Sequence, residues 1–577
     1  MFKVGVIIAG TAAVAVWISS AALGSSFNSI DGRAVCQSGD SQKGCLSCDN
    51  EIQPFSVWVG GEGLTNKLSF TDRKWSGSGI SVCIDDAGRV LVSAPSNALC
   101  WVRMTWRHAW PKGALCLGDT WERSYGDLEW KPIVAKARLS PWYFLVNDGE
   151  RTDGYGVEVQ PNAFACWNVD SRGYSLRLDL RAGSSPVKLG SRTLEAVRIV
   201  TRKGVSGESA FQAGRAFCRI MCPYPRLPKE PVYGYNDWYC AYGKNTATNF
   251  LLDAAYISRC ADGLANRPYV VMDDGWQEHS PPWMKENTGV WQSGVGPWDR
   301  SGTMFGMEMS EFCRRISALN AKPGLWYRPL AAWPDAPKAL RQRELNDCFD
   351  PTLPEVRRMI LDDMLRFRKW GFKLVKIDYL TYDICRKWTL EAMGETVIPD
   401  GKATWRDASY TTCEVMKRLY GVMREGAGDD MVIIGCNAIN HIAAGLFEVQ
   451  RIGNDTSGRR WVQTRKYGVN ALGFRSIQNG TFFAADGDCC GLAETDSVPW
   501  EKKTVNGWIL SPKAERRFSF RGVEILRTVL LSMPLYLLSK QLPQCVKLVS
   551  RWIGCTAVFH RIGVLKMEVQ SMNGKLH

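Results

Sequence analysis

The sequence predicts a multidomain β and α/β fold, in which an N-terminal antiparallel β-sandwich precedes a (β/α)8 TIM barrel. Its 577 residues are enough for two or three domains with sizeable cores. The N-terminal part consists of short runs in which apolar and polar residues alternate between turn residues. The part that follows alternates short apolar strands with helical stretches, which is typical of a parallel sheet.

Residues 30–228 are assigned to the β-sandwich. Runs such as Arg89–Ser93 and Ser175–Leu180 alternate apolar and polar side chains and are separated by Gly, Asp and Ser. This period of two predicts strands with one buried face. No long helical period is visible in this region, so we expect a large antiparallel sandwich.

Residues 229–545 are assigned to the barrel. One helix is predicted to begin at Pro354 and to end before Gly371, since apolar residues repeat between them at helical spacing. A second helix is predicted over Ser409–Arg424. The barrel needs eight strands, and these are predicted to begin near Tyr233, Tyr269, Pro323, Leu374, Met431, Glu448, Thr481 and Leu535.

The two ends of the chain are assigned separately. Residues 1–24 resemble a secretory signal peptide, because Lys3 precedes an uncharged apolar stretch that ends in small residues. The stretch is long enough for a membrane anchor, but its Gly, Ser and Thr content favours export. We therefore expect a secreted or periplasmic protein with no other membrane segment. Residues 546–577 contain β-like pieces that are too short for a third domain.

Composition limits the partners. The net charge of +14 comes with interspersed basic and acidic residues and no nucleic-acid motif, so no nucleic acid is expected. The 24 Trp suit stacking on sugar rings, although most Trp residues fill cores. Among 20 Cys, Cys45 and Cys48 have metal-like spacing but lack a nearby fourth ligand, so no metal or other cofactor is predicted. The oligomeric state stays open, a homo-oligomer included.

The strongest chemical signal is the segment Leu374–Leu380. Strand side chains alternate, so Lys376 and Asp378 project to one side of the fourth strand while apolar residues pack behind them. A neighbouring ammonium favours the ionised carboxylate that a nucleophile requires; a buried structural ion pair is the alternative. A second carboxylate, Asp455, closes the sixth strand, and two carboxylates about 5–5.5 Å apart cleave a glycosidic bond with retention.

Asp455 and three further polar residues lie where predicted strands end. As a general acid, Asp455 must hold a proton, so its pKa has to be raised by burial or by the charge of the nucleophile. Arg451 opposes that shift if it contacts the acid, and we therefore expect it to point at a bound sugar. Asp273 and Asp274 can accept hydrogen bonds from sugar hydroxyls, with a turn or a helix N-cap as the alternative.

Two more residues line the same predicted opening. Trp326, near the end of the third strand, either stacks on a sugar face or packs in the core. Cys436 belongs to a run of small residues that lets a substrate approach closely. Catalysis by His is not predicted, because none of the five His lies beside a Ser or Cys nucleophile motif.

The motifs occur in the order seen in α-galactosidases of glycoside hydrolase family 36, which the chain resembles. They are Gly234-Tyr235-Asn236-Asp237-Trp238, Asp273-Asp274-Gly275-Trp276, Leu325-Trp326, Lys376-Ile377-Asp378, Gly435-Cys436 and Arg451-x-x-x-Asp455. The resemblance covers about Tyr233 to Leu542, and the β-rich region before it is also similar. Tyr235 stands where Trp is more usual, and the family ordinarily closes with a longer β-domain.

The resemblance implies a retaining exo-acting α-galactosidase, with Asp378 as nucleophile and Asp455 as acid/base. It implies that Asp273 and Asp274 bind the C4 and C6 hydroxyls of galactose, that Trp326 lines the pocket, and that Lys376, Cys436 and Arg451 complete the sugar subsite. The partner would be an α-galactoside oligosaccharide or a polysaccharide side chain. Three alternatives stay open: galactosyl transfer as in raffinose synthases, hydrolysis of α-linked N-acetylgalactosamine or of an arabinopyranose, and non-catalytic sugar binding.

Overall fold

The computed structural model describes residues 53–491 except 279–293, 304, 344–346, 388–393, 399–402, 404 and 458–459, together with the backbone of 516–519. The predicted signal peptide, the predicted tail and the predicted strand near Leu535 lie outside these residues. Within the described ranges, none of the helices combines the length and apolar character that crossing a bilayer requires.

The N-terminal region forms two antiparallel sheets. Strands β1 to β16 are Ser56–Gly61, Leu64–Lys67, Ser69–Thr71, Lys74–Gly77, Ile80–Ile84, Arg89–Ser93, Ala98–Arg107, Leu115–Gly118, Lys131–Pro132, Arg138–Pro141, Tyr143–Asn147, Thr152–Val157, Phe164–Asp170, Gly173–Asp179, Val187–Lys188 and Leu194–Arg202. One sheet has the order β10-β13-β14-β7-β1-β2, with β15 also pairing with β7, and the other has the order β3-β4-β5-β6-β16-β12-β11-β8-β9. Burial alternates along β5 and β6 as the sequence predicted, with Ile80, Val82, Val90 and Val92 buried.

One helix in this region was not predicted. Helix α1, Ala210–Met221, begins after Ser209, whose hydroxyl accepts a hydrogen bond from the backbone N–H of Gln212 while the Gln212 side chain accepts one from Ser209. This reciprocal pair is a capping box, so a start signal is present in the sequence. Phe217 of α1 packs on β12 at Gly154, where an added Cβ would lie 2.5 Å from the ring.

The remaining strands form one parallel sheet. Strands β17 to β25 are Tyr233–Asn236, Tyr269–Met272, Lys322–Tyr327, Leu374–Ile377, Val432–Gly435, Val449–Arg451, Ala484–Asp486, Cys490–Gly491 and Arg516–Ser519. Their order is β23-β22-β21-β20-β19-β18-β17-β25-β24. The first seven predicted strands correspond to β17 through β23, whereas the short strands β24 and β25 were not predicted.

Helices connect these strands. Helices α2 to α10 are Trp238–Ala241, Ala247–Cys260, Met309–Ala318, Pro354–Trp370, Leu380–Cys385, Thr412–Ala427, Asn440–Ala443, Trp461–Gln463 and Ala471–Arg475, with a 3₁₀ turn at Lys338–Leu340 and a π-helix at Thr464–Asn470. Helix α5 begins at Pro354, as predicted, and ends at Gly371, whose φ of 109° suits a residue without a Cβ. Helix α7 begins after Thr411, later than predicted, because Thr411 and Glu414 form a capping box.

The parallel sheet is strongly curved. Val271, Leu374, Ile434, Val449 and Ala484, from five different strands, share one small buried cluster on its inner face. Its edge strands β23 and β24 are separated in the chain by residues 487–489 alone, which keeps the two edges within about 14 Å of each other. No backbone ladder joins these edges in the described part of the chain. The sheet is therefore a parallel half-barrel, where the sequence predicted a closed barrel.

Candidate active site

Polar side chains gather where the parallel strands end, because parallel strands present their carboxyl ends at one edge of a sheet. Of the eight predicted site residues, two have side chains open to solvent. Asp378 is half-buried, and the side chain of Asp455 is 52% exposed. The other six are each at most 5% exposed: Lys376, Asp273, Asp274, Trp326, Cys436 and Arg451. The two accessible residues are the two carboxylates that were predicted to react.

Asp378 follows β20 and is held by two donors. Its Oδ2 atom accepts a hydrogen bond from Nε1 of Trp326 at 3.0 Å, and its Oδ1 atom accepts one from the backbone N–H of Tyr379 at 2.8 Å. Tyr379 has a φ of 61°, a left-handed conformation that costs a residue other than Gly about 1–3 kcal/mol. A fixed, half-exposed carboxylate with two hydrogen bonds suits the role of a nucleophile.

Trp326 supports the site from below. Its side chain is 1% exposed, and its ring packs against Trp298 at a centroid distance of 5.8 Å. The sequence left open whether Trp326 stacks on a sugar or packs in the core. The structure favours the core position, from which only its N–H group serves the site.

Lys376 is paired with a carboxylate from another strand. Its Nζ atom lies 2.6 Å from Oδ2 of Asp273, which ends β18, and both side chains are buried. The sequence paired Lys376 with Asp378, its neighbour on the same strand. The long lysine side chain reaches across the inner face of the sheet, and spacing along a single strand does not reveal such a contact.

Asp273 and Asp274 belong to a buried group of acids. Oδ2 of Asp273 also accepts a hydrogen bond from Asn236, and the backbone N–H of Asp273 donates to Asp237 at 2.7 Å. Burial raises the pKa of Asp274 to about 7, although Gln277 donates a hydrogen bond to it. Burial and the nearby charge of Asp273 raise the pKa of Asp237 to about 8. These acids form a polar layer under the opening.

Asp455 is clamped by two arginines. Its Oδ1 atom lies 3.0 Å from Nη2 of Arg451 and 2.9 Å from Nη1 of Arg123. The surrounding protein partly desolvates the carboxylate, which raises its pKa, but the charges of Arg123 and Arg451 outweigh this effect and hold the pKa of Asp455 well below its usual range. The sequence predicted a raised pKa and an Arg451 that points at the sugar. Both predictions are wrong, because Arg451 contacts the acid directly.

Arg123 was missed because it belongs to the β-sandwich. It lies in the loop of residues 119–126, between β8 and β9. Backbone hydrogen bonds hold Ser124 beside the segment that carries the acid: its N–H donates to the carbonyl of Ile452 at 2.8 Å, and its carbonyl accepts from Asn454 at 2.9 Å. A loop between two antiparallel strands thus lies against the end of β22 in the parallel sheet. The sequence offers no periodic signal for this contact, since 332 positions separate Arg123 from Asp455.

Glu122 in the same loop is a further buried acid. Its carboxylate accepts hydrogen bonds from Asn437, which follows β21, and from the hydroxyl of Tyr125 at 3.2 Å. Burial raises the pKa of Glu122 to about 7, and the charge of Asp378 adds to the shift while that of Arg123 opposes it. Glu122 therefore joins the sandwich loop to the strand ends around Asp378.

Cys436 lies between the charged groups. Its thiol is 3.4 Å from Nη1 of Arg451, and burial raises the pKa of that thiol to about 12. Cys436 is therefore an uncharged, small side chain, and its role in close substrate approach stays a prediction. Asp488, which was not predicted, accepts hydrogen bonds from Tyr239 at 2.7 Å and from the backbone of Thr456 at 2.6 Å, and it pairs with Arg451 at 3.0 Å.

The arrangement offers acid, base and nucleophile functions without an evident metal centre. Among the described residues, no three His, Cys, Asp or Glu side chains are grouped as a metal ion would need. Fourteen described cysteines carry free thiols, and Cys436 is one of them. Carboxylates with arginine and lysine partners lie at the edge of the sheet.

Of the comparisons with known proteins, the one with solved structures found similar proteins. No protein-family model matches the sequence, and a search of curated proteins finds no match. An α-galactosidase from Thermus thermophilus, in complex with p-nitrophenyl α-D-galactopyranoside, is 15% identical with a TM-score of 0.49, covering 81% of this chain and 90% of its own. Another structure of the Thermus enzyme contains stachyose.

Two further neighbours come from other proteins. A family 36 α-galactosidase from Geobacillus stearothermophilus is 12% identical, with a TM-score of 0.47 and coverage of 82% of this chain and 67% of its own. The galactosidase domain of an α-galactosidase–sucrose kinase is 14% identical, with a TM-score of 0.48 and coverage of 87% and 75%. The neighbours described here are α-galactosidases. At these identities and TM-scores, the function has to be argued from the site itself.

Proposed function

We propose that this protein is a retaining exo-glycoside hydrolase that releases terminal α-linked galactose. One observation carries the proposal: among eight predicted site residues, the two that are open to solvent are the carboxylates Asp378 and Asp455. Two accessible carboxylates from different strand ends are the minimum equipment for cleavage of a glycosidic bond. The choice of galactose rests on the sequence motifs.

In the first step, an oxygen of Asp378 attacks the anomeric carbon of the bound sugar. The bond from that carbon to the glycosidic oxygen breaks, and Asp455 gives a proton to the leaving oxygen. The hydrogen bonds from Trp326 and Tyr379 hold Asp378 in place for the attack. The product of this step is a covalent galactosyl ester of Asp378 and a free alcohol.

In the second step, Asp455 removes a proton from water while the water oxygen attacks the same carbon. The ester bond to Asp378 breaks, and galactose leaves with its original anomeric configuration. The arginine clamp favours the ionised Asp455 that exists at the start of this step. The proton taken from water leaves Asp455 protonated at the end of this step. The arginine clamp favours loss of that proton in the free enzyme, and exclusion of water by the next bound sugar raises the pKa of Asp455 in the complex.

The sugar subsite is proposed to lie on the polar layer formed by Asp273, Asp274 and Lys376, with Arg451 and Cys436 on its side. Charge-assisted hydrogen bonds from these groups would fix the hydroxyls of one monosaccharide. Trp326 would support the floor without stacking on the sugar, since it is 1% exposed. We also propose that the half-barrel closes into a (β/α)8 barrel, which the short connection of residues 487–489 supports. Export of the protein remains our proposal for its N-terminal stretch.

A panel of p-nitrophenyl α-glycosides tests the proposed activity and its sugar preference. We expect p-nitrophenol release from the α-galactoside and little from the α-glucoside or from the N-acetylgalactosaminide. Proton NMR during early turnover should show α-galactose first, and the β anomer would indicate inversion. Incubation of raffinose with and without sucrose or another acceptor separates hydrolysis from transfer, because transfer yields a longer oligosaccharide.

Non-catalytic sugar binding is the second candidate, and one observation favours it. Two arginines hold Asp455 ionised, which disables it as an acid unless the bound substrate reverses the effect. A protein that binds galactose or an iminosugar such as 1-deoxygalactonojirimycin in calorimetry, but releases no phenol from any α-glycoside, would fit this candidate. Covalent labelling of Asp378 by an activated fluorogalactoside would exclude it.

A further inference from the structure

The loop of residues 119–126 is anchored to the strand ends by more than its backbone. Arg475, on α10, is 1% exposed and donates from Nη1 to the carbonyls of Glu122 at 2.9 Å and of Ile452 at 3.0 Å. Thr120 also donates to the Glu122 carbonyl, at 2.8 Å. The position of this loop relative to β22 is thereby fixed from two sides.

The guanidinium of Arg123 is fixed at both of its ends. The side chain is 6% exposed, its Nε atom donates to the Tyr125 hydroxyl at 3.1 Å, and its Nη1 atom donates to Oδ1 of Asp455 at 2.9 Å. The Tyr125 hydroxyl in turn donates to Glu122. Arg123 is thus a pre-organised donor, and its contact with Asp455 does not depend on a flexible surface side chain.

The two oxygens of Asp455 have different environments. Arg123 and Arg451 both contact Oδ1, whereas within the described part of the chain Oδ2 has no hydrogen-bond partner. Because a carboxylic acid carries its proton on one oxygen, the clamp on Oδ1 leaves Oδ2 to carry it. The 52% exposure of the side chain gives a ligand access to that oxygen.

We propose that Arg123, from the β-sandwich, is a positioning residue for the acid/base of the α/β domain: it anchors Oδ1 of Asp455 so that Oδ2 faces the leaving oxygen. The inference rests on the proposed function, and it adds that neither domain alone holds a complete site. In this arrangement Arg123 fixes the orientation of the acid but opposes its protonation, so its removal should weaken proton donation and raise the pH at which Asp455 ionises.

Other charged and titratable groups act on Asp455 from each neighbouring element. Arg451 on β22 and Lys376 on β20 favour the ionised form. Among the described residues, the charge of Asp455 also acts on Tyr239 on α2 and on Tyr125 in the loop. Asp488 after β23 and the Cys436 thiol share the Arg451 guanidinium with Asp455. Arg123 is the cation that the sandwich contributes, so its effect can be removed without changing the α/β domain.

The test compares two substrates that differ in their need for an acid. Stachyose has a poor leaving group that must be protonated, whereas p-nitrophenyl α-galactopyranoside releases a stable phenolate. We expect R123M to lower kcat/KM for stachyose by about 100-fold and for the aryl substrate by less than about 5-fold. D455A should change the ratio of the two kcat/KM values in the same direction and by a larger factor. R123K should recover part of the kcat/KM for stachyose that R123M loses.

Azide provides a second readout. If R123M misplaces the acid/base, azide should accelerate turnover of the aryl substrate, because it attacks the galactosyl ester without needing a base. The new carbon–nitrogen bond forms as the ester bond to Asp378 breaks, which gives α-galactosyl azide. Wild type should show no such acceleration, and D455A should show a larger one.

R192M is the matched control. Arg192 in the sandwich pairs with Glu414 at the start of α7 at 2.8 Å, so its loss removes another arginine–carboxylate contact between the domains, away from the site. R192M should leave the substrate ratio unchanged and azide without effect. An R123M enzyme that behaves like R192M would overturn the proposal.

Failure of the proposed function is distinguishable from failure of this inference. If D455A leaves the substrate ratio unchanged, Asp455 is not the acid and the proposed function fails. If wild type is inactive, a crystal structure of R123M decides the inference alone. An Asp455 side chain that turns away from its present position supports anchoring by Arg123, and an unmoved side chain overturns it.

Discussion

Nε1 of Trp326, on β19, donates a hydrogen bond to Oδ2 of Asp378 at 3.0 Å, so a buried indole holds the carboxylate that ends the next strand. Its ring is packed against Trp298 and Tyr379, which fixes the direction of the N–H group. The carboxylate therefore gains a rigid donor from the core, and the tryptophan shapes the proposed active site without facing the opening.

Replacement of Trp326 by Phe should keep the packing and remove the donor. A hydrogen bond to a charged group contributes about 1.5–3 kcal/mol, so kcat/KM should fall by roughly 10- to 100-fold. Steady-state kinetics with the aryl galactoside measures the loss. W298F, which alters a packed tryptophan with no hydrogen bond to Asp378, is the control, and an equal loss in both variants would assign the effect to packing.

Replacement of Asp378 by Asn should abolish turnover while the fold survives, because the amide keeps the shape but is a poor nucleophile. We expect a loss of at least about 10⁴-fold in kcat. Added azide should restore cleavage of the aryl substrate and give β-galactosyl azide, since azide then attacks from the side of the missing nucleophile. Substantial activity in D378N without azide would show that another group forms the covalent intermediate.

The pH dependence should differ between substrates. Because the arginine clamp holds the pKa of Asp455 well below its usual range, the protonated fraction of the free enzyme falls as pH rises. Between about pH 5 and pH 8, kcat/KM for stachyose should therefore fall by up to about tenfold per pH unit. The aryl galactoside should show a much flatter profile. Identical profiles for both substrates would argue against Asp455 as proton donor.

Glu122 should make stability depend on pH. Its pKa is about 7 in the folded protein and 4.5 as an unperturbed group, so the folded state binds more protons between these values. Protonated Glu122 contributes on the order of 3 kcal/mol to the free energy of unfolding. This contribution is complete below pH 4.5 and is lost as the pH rises through 7. E122Q should remove this part of the decline in thermal melting curves, and E150Q at an exposed turn should not.

The ion pair between Arg475 and Asp119 should stabilise the contact between the two regions. Arg475 Nε lies 3.0 Å from Asp119 Oδ1, and the two side chains are 1% and 3% exposed. R475M leaves a buried carboxylate without its cation, which costs about 3–5 kcal/mol. The urea midpoint should fall sharply in R475M and recover in part when D119N is added. Equal midpoints for the single and double variants would contradict this account.

Much of the site was predictable because strand ends leave a clear pattern. Apolar runs such as Leu374–Ile377 stop at a polar residue, and in a parallel sheet those stops converge at one edge. Asp273, Asp378 and Asp455 were predicted as site residues in this way. Helix α5 was predicted from the helical spacing of its apolar residues. The capping pairs Ser209–Gln212 and Thr411–Glu414 are start signals of the same local kind.

What the sequence determined by itself was the set of local elements: which runs form strands and helices, and which carboxylates stand where strands end. These features depend on neighbours within a few positions. The tertiary structure alone decided the partners of those groups, namely Asp273 for Lys376, Arg123 for Asp455 and Trp326 for Asp378. Side-chain partners across a sheet or between sheets depend on curvature and docking, which bring together residues such as Arg123 and Asp455, 332 positions apart.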